Sequence, residues 1–188
     1  MNILLMYSSR FGQTQKIAQI LESEWSRSGA LVTLVDLEEA EKKQIDPAAF
    51  DTIVIGASIR YGHYAPVLQH WVDNHIDTLN STPSAFFSVS ILANKPHRNT
   101  PETHSYTRKF FEKSAWRPQH IGIFAGELDY RKYHLLDRYL MKFVMWLNKG
   151  ETDFKAHIEF TDWEKVRHFG QAVLATTNDQ PKEISKTN

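Results

Sequence analysis

Short apolar runs alternating with segments of helical periodicity constrain this chain more than any other feature. Asn2–Tyr7, Leu31–Leu37, Thr52–Ala57, Ser84–Leu92 and His120–Gly126 are the runs, rich in β-branched and aromatic residues. Near-continuous apolar runs of this kind fit strands covered on both faces, the condition of a parallel sheet. Between them, Gln13–Ser28 places Ile17, Ile20, Leu21 and Trp25 near one helical face, closed by Gly29. Pro66–Leu79 carries a stripe of Val67, Leu68, Trp71, Val72, Ile76 and Leu79. Thr100–Lys113 reads as a helix with Thr100 as its cap and Pro101 in the first turn. Thr161-Asp162-Trp163-Glu164 matches a capping box before a last helix that ends near Ala175. Strands and helices in alternation predict a doubly wound α/β fold with right-handed crossovers. In such folds ligands sit at the carboxyl ends of the strands, near the switch in strand order.

No linker or repeat divides the chain, so a single domain over residues 1–175 is expected, with a polar tail over 176–188 that should fray. Composition removes several classes of function. The absence of cysteine excludes disulfides, thiolate metal sites, iron–sulfur clusters and a Cys nucleophile. Basic and acidic residues both number 22, so no global charge draws the chain to nucleic acid. The start "MNILLMYSSR" lacks the pattern of a signal peptide, and no run is long and apolar enough to span a bilayer. The expected compartment is the cytoplasm, with a membrane surface left open. The histidines show no metal-ligand spacing, and no metal is expected.

Every unusual loop follows a strand: 8–13 after the first, 58–64 after the third, 93–99 after the fourth. "YSSRFGQTQKIA" (7–18) passes from strand to helix through Ser8, Ser9, Gly12 and Thr14. Free backbone N–H groups at a helix start, joined by short hydroxyls, suit a phosphate. A plain Ser/Thr cap explains the same spacing equally well. The stretch is neither a P-loop nor a GxGxxG fingerprint, and it lacks the acidic residues a receiver domain needs for its metal. "SIRYGHY" (58–64) packs an Arg, a His, two Tyr and a Gly into one connection, either an irregular loop or a surface for something flat and charged.

The spacing Ser8-x-x-x-Gly12-x-Thr14 resembles the flavin mononucleotide (FMN) phosphate loop of flavodoxins. "VIGASIRYGHY" (54–64), "PSAFFSV" (83–89), "TPETHSYTRKF" (100–110), Gly150–Asp153 and Phe160–Trp163 narrow it further. Together they resemble the flavodoxin-like, quinone-dependent protoporphyrinogen IX dehydrogenases of bacterial haem synthesis, over roughly residues 1–175. The resemblance implies a flavodoxin-like five-stranded parallel sheet of order 2-1-3-4-5 and one non-covalent FMN. It implies oxidation of protoporphyrinogen IX to protoporphyrin IX, with a membrane quinone (menaquinone or ubiquinone) as acceptor, and a peripheral place on the cytoplasmic side of the inner membrane. A homo-oligomer is left open. Carried over by position, Ser9, Arg10, Phe11, Gly12, Gln13 and Thr14 match the phosphate loop. Ser58, Ile59, Arg60, Tyr61, Gly62 and His63 match one flank of the flavin ring. Ser88, Val89, Ser90, Ile91, Leu92 and Ala93 match the other. His63 and Arg60 are the candidate catalytic side chains. His63 would shuttle a proton or, more plainly, bond backbone or the flavin edge. A flavodoxin-type electron carrier and an NAD(P)H:quinone reductase are the competing readings on this fold.

Residues 127–153 resemble the insertion that interrupts the last strand of long-chain flavodoxins, with Ala156–Phe160 expected to resume that strand. Placed on one helix, Arg131, His134, Arg138, Lys142 and Lys149 fall within about 80° of arc. Most of the remaining surface is apolar, Phe143 and Trp146 included, and Asp137 is its one negative charge. A basic stripe on an apolar helix describes an interfacial membrane ledge, and equally a core helix with one solvated face.

Overall fold

The computed structural model describes residues 1–148 and 150–178. In chain order it contains β1 (Asn2–Ser8), α1 (Gln13–Arg27), β2 (Leu31–Asp36), α2 (Leu37–Lys42), β3 (Thr52–Ser58), α3 (Pro66–Asn74) and α4 (Ile76–Ser81). There follow β4 (Ser84–Ser90), α5 (Ser105–Lys113), β5 (His120–Ala125), β6 (Glu127–Asp129), α6 (Leu135–Leu147), β7 (His157–Glu159) and α7 (Trp163–Asn178). The first five strands form one parallel sheet in the order β2-β1-β3-β4-β5, as expected. The order switches between β1 and β3, where Tyr7 pairs with Gly56 and Ser8 with Ala57. β4 runs level with them, Ser58 pairing with Val89, so three loops open side by side at one sheet edge.

Period-two alternation divides the apolar runs between two cores. Ile3 and Leu5 of β1 pack with Ile17, Leu21, Trp25, Phe87, Phe124, Val166 and Phe169 under α1 and α7. Leu4 and Met6, their neighbours in sequence, pack with Leu68, Trp71, Phe86, Phe110 and Trp116 on the other face. Buried indole N–H groups find partners: Trp25 donates to the Gly170 carbonyl at 3.0 Å, and Trp116 to Ser84 Oγ at 2.9 Å.

Several boundaries differ from the sequence reading, each for a local reason. The helix expected over Pro66–Leu79 breaks at His75, which stacks on Trp71 and bonds its carbonyl, and resumes as α4. Thr100 does not cap a helix; its hydroxyl closes a turn with Thr103, and α5 begins at Ser105. Asp162, not Thr161, caps α7 by accepting from the Lys165 N–H at 3.0 Å. That helix continues to Asn178, past the expected end at Ala175, while residues 179–188 of the expected tail lie outside the described residues. Ala156–Phe160 does not resume the large sheet. Its β7 instead pairs antiparallel with β6 in a separate ribbon, so the inserted chain returns beside its own exit.

Gly56 lies in β3 where a Cβ would meet the Phe87 ring at 2.0 to 2.5 Å, and that ring is itself fixed against Phe124 and Phe169. Gly56→Ala is expected to lower the free energy of unfolding by about 1–3 kcal/mol, the usual cost of overpacking a core. A urea titration of both proteins checks it.

Candidate functional site

The loops after β1 and β3, the end of β4 with Ile91 and Leu92, and α6 line a cavity of about 440 Å³ at the carboxyl edge of the sheet, and no residue of the loop 93–99 reaches it. Of the residues singled out in sequence, Ser9, Arg10, Phe11, Gln13, Thr14, Ser58, Ile59, Arg60, Tyr61, Gly62, Val89, Ser90, Ile91 and Leu92 line it. Gly12, Ser88, Ala93 and His63 do not. Gly12 shapes the loop from behind, at φ 94°, a left-handed conformation that a side chain would strain. Ala93 is buried against Ile123 and Ala125. Ser88 is buried in β4 and accepts from the Tyr64 hydroxyl at 2.8 Å. His63 is exposed, with its Nδ1 3.1 Å from the Tyr61 carbonyl oxygen, so the plainer of its two readings describes its contacts.

The first loop is shaped as an anion cradle. Among the described residues no side chain caps α1 and no acid stands in its first turn; the Gly12 N–H donates to Ser9 Oγ at 3.1 Å, and the N–H groups that follow, at the positive helix end, stay open. Thr14 Oγ1 is buried there without a partner among the described residues. A buried hydroxyl left unbonded costs about 1–3 kcal/mol, so it marks a place that favours an acceptor. Gln13 anchors the loop from below. Its amide donates to Thr161 Oγ1 at 2.8 Å and Glu159 at 2.9 Å, and Thr161 in turn donates to the Ala125 carbonyl at 2.8 Å. Thr161, read in sequence as a cap, thus ties α1 to the end of β5.

SIRYGHY folds back on itself. Arg60 and His63 exchange backbone hydrogen bonds around Tyr61 (φ 51°) and Gly62 (φ 83°). Two left-handed central residues are the signature of a type I′ turn, which Tyr61 adopts at a steric cost. Arg60 and Asp137 compensate. The Arg60 guanidinium lies 4.5 Å from the Tyr61 ring, its Nη2 sits 2.7 Å from both Asp137 oxygens, and the Tyr61 hydroxyl donates to the same carboxylate. The Tyr61 hydroxyl, and then Arg60, hold the Asp137 carboxyl below its ordinary range against the opposing effect of burial.

Beneath this turn lies a buried polar chain. His104 Nδ1 is 2.7 Å from Thr107 Oγ1, which is 2.7 Å from the Tyr64 hydroxyl. Burial pushes Tyr64 up to about 12, while burial and the Arg98 charge push His104 down to about 4.

Sequence reasoning missed the far wall: Tyr106, Gly126, Glu127, Tyr133, Asp137, Leu140, Met141 and Val144. The one signal was Asp137, the single acid in an otherwise apolar and basic helix. α6 is inverted relative to a core helix. Asp137 is 5% exposed, whereas Leu136 is 85% and Trp146 65% exposed, with Leu135, Tyr139, Phe143 and Leu147 also in the open. Fully burying such side chains is worth about 1.5–3 kcal/mol each. Along this face the helix forgoes that gain and packs its acid over the cavity, unlike a core helix whose solvated face is basic. The expected basic stripe is also shorter than one helix would make it. Arg131 sits in a preceding 3-10 turn paired with Asp129, His134 stands just before α6 without a capping bond from its side chain, and only Arg138 and Lys142 flank the apolar face. Arg138 donates to the Tyr130 carbonyl, and Lys142 lies over the Phe154 ring. Lys149 lies outside the described residues. Glu127, Asp129 and His157 meet on the small ribbon, where Lys132 and Arg131 neutralise the carboxylates.

A 2-1-3-4-5 sheet with an anion cradle after β1 and a cavity at its switch point defines a protein of flavodoxin type. A flavodoxin-domain family model matches residues 4–155. Flavodoxin 1 from Bacillus cereus superposes with a TM-score of 0.56 at 13% identity, covering 96% of this chain and all of that one. Protoporphyrinogen IX dehydrogenase [quinone] of Escherichia coli (strain K12) is 42% identical over 181 residues, 96% of this chain and 98% of its own. The protein of that name from Leishmania major is 38% identical over 173 residues, 92% of this chain and 74% of its own. The chain belongs to the flavodoxin-domain family and, within it, to the group of quinone-dependent protoporphyrinogen IX dehydrogenases.

FMN is the cofactor a flavodoxin domain takes, and the residues fit it. The uncapped α1 start, unpartnered Thr14 Oγ1 and Ser9 suit the phosphate, and Ile59–Gly62 and Val89–Leu92 provide two flanks for a planar ring.

His104 also makes the fold pH-sensitive. Its proton affinity is depressed in the fold, so the unfolded chain binds the extra proton between about pH 6.5 and 4. Stability from the neutral ring is complete above that window and is lost on acidification through it. His104→Gln should flatten the fall in denaturation midpoint between pH 7 and 4.5, measured against the parent protein.

Proposed function

We propose that this protein oxidises protoporphyrinogen IX to protoporphyrin IX with FMN as cofactor, passing electrons to a quinone at a membrane surface. The observation that carries the reading is the 42% identity across 96% of the chain, which includes the inserted wall of the cavity. When bound, FMN supplies two-electron redox chemistry, so the six electrons of the porphyrinogen leave in three rounds. The chain's residues bind and enclose. The α1 start and Thr14 would hold the phosphate, Arg60 and Tyr61 would make one wall of the ring site, and Tyr133 and α6 would help to exclude water from it.

The inverted α6 supports the membrane part of the reading. Its exposed face of Leu135, Leu136, Tyr139, Phe143, Trp146 and Leu147, flanked by Arg138 and Lys142, is suited to lie in a lipid headgroup layer. Among the described residues no helix is long and apolar enough to cross a membrane. A quinone dissolved in the bilayer would then meet the cavity beside that face.

The deciding experiment mixes the anaerobic, flavin-loaded protein with protoporphyrinogen IX. The reading expects bleaching of the flavin absorbance by the porphyrinogen and its return on adding a quinone. Bleaching by NAD(P)H alone would overturn it in favour of the reductase alternative. For the membrane arm, Phe143→Ser with Trp146→Ser should reduce sedimentation with anionic vesicles at least roughly tenfold, since two large apolar contacts are lost. Flavin content should be unchanged, because neither residue lines the cavity.

A further inference from the structure

Asp137 gives the cavity an anion of its own. Arg60 lines it from the loop after β3 and Asp137 from α6 on the opposite wall. Nη2 alone carries the side-chain hydrogen bonds of Arg60 among the described residues, two to Asp137 and one to the Tyr61 oxygen. Its Nε is buried without a partner. A guanidinium binds a carboxylate best through parallel bonds from two different nitrogens. The Asp137 contact therefore uses one corner of the fork and leaves the rest unspent.

The anion that Arg60 answers is not the FMN phosphate, whose cradle is built separately at the start of α1. At about 440 Å³ the cavity lies low in the ~300–1,000 Å³ span of ligand sites. Arg60 and Asp137 both line it, so a ligand that enters beside α6 meets that pair. A carboxylate is the group that can replace Asp137 without stranding the guanidinium.

Building on the porphyrinogen reading, we infer that Arg60 reads a propionate of the substrate and that Asp137 is the internal counter-ion this propionate displaces. Arg60 is thus a specificity residue, and Asp137 a positioning residue acting through it. The ligand class is a flat, apolar macrocycle bearing free carboxylates. Its neutral esters have no charge with which to compete against Asp137.

The test compares protoporphyrin IX with its dimethyl ester on the flavin-loaded full chain, in one detergent. Binding is followed by porphyrin fluorescence, and turnover of the two porphyrinogens with a soluble quinone. Wild type should bind the diacid roughly tenfold more tightly than the diester, a modest factor because Asp137 still pairs Arg60 when the ester is bound. Arg60→Met should bring the ratio to within about twofold, and Arg60→Lys should restore part of it. Asp137→Asn should move the other way, tightening the diacid by roughly three- to tenfold and leaving the diester unchanged, because the competing anion is gone. Structural damage would weaken both ligands together and strengthen neither. If Arg60→Met does not fold, Asp137→Asn decides by itself. An unaltered ratio in Arg60→Met, or a diacid bound no better by Asp137→Asn than by wild type, overturns the inference. A wild-type protein that prefers the diacid yet oxidises neither porphyrinogen overturns the porphyrinogen reading and leaves the carboxylate reader standing.

Discussion

Burial of one parallel sheet on both faces is the constraint on which the rest depends. Because β1, β3 and β4 are covered above and below, their backbone is spent in the ladder and their side chains in two cores. Only the edge where the strands end is free for chemistry, and the switch in strand order holds the loops after β1 and β3 apart there. The cradle at Gly12, the turn at Tyr61 and the strand end at Val89 meet at one cavity because the strands that carry them are paired in register.

The insertion completes what that edge begins, and it does so against the ordinary rule of burial. Its own small core of Leu128, Tyr130, Tyr133 and Met145 packs on Phe11 of the phosphate loop, with the Tyr133 and Phe11 rings 4.5 Å apart. α6 turns Asp137 inward beside Met141, Val144 and Met145, and Leu135, Leu136, Tyr139, Phe143, Trp146 and Leu147 outward. One surface of the helix lines the cavity, and the other exposes a contiguous row of large apolar side chains.

Legibility in the sequence followed the range of the interaction. Period-two runs report local burial, so the five strands and their fold class could be read directly, with ends shifted by a residue or two. The break at His75 and the cap at Asp162 depend on single side-chain contacts and were misplaced. Most of the near wall of the cavity was legible because it lies next to strand ends. The far wall was not, because Tyr106, Tyr133 and Asp137 reach it from distant parts of the chain. Thr161 illustrates the same limit: its motif was visible, and its bond to Gln13 across the fold was not.

By itself the sequence determined the alternating architecture, the absence of cysteine chemistry and the hydroxyl-rich entry to α1. Each of these is carried by residues adjacent in the chain. The tertiary structure decided which face of α6 is inside, why Tyr61 tolerates a left-handed backbone, and that Arg60 is held by an acid 77 positions away. Those outcomes rest on charges and rings brought together across the cavity, and no local periodicity encodes a contact of that reach.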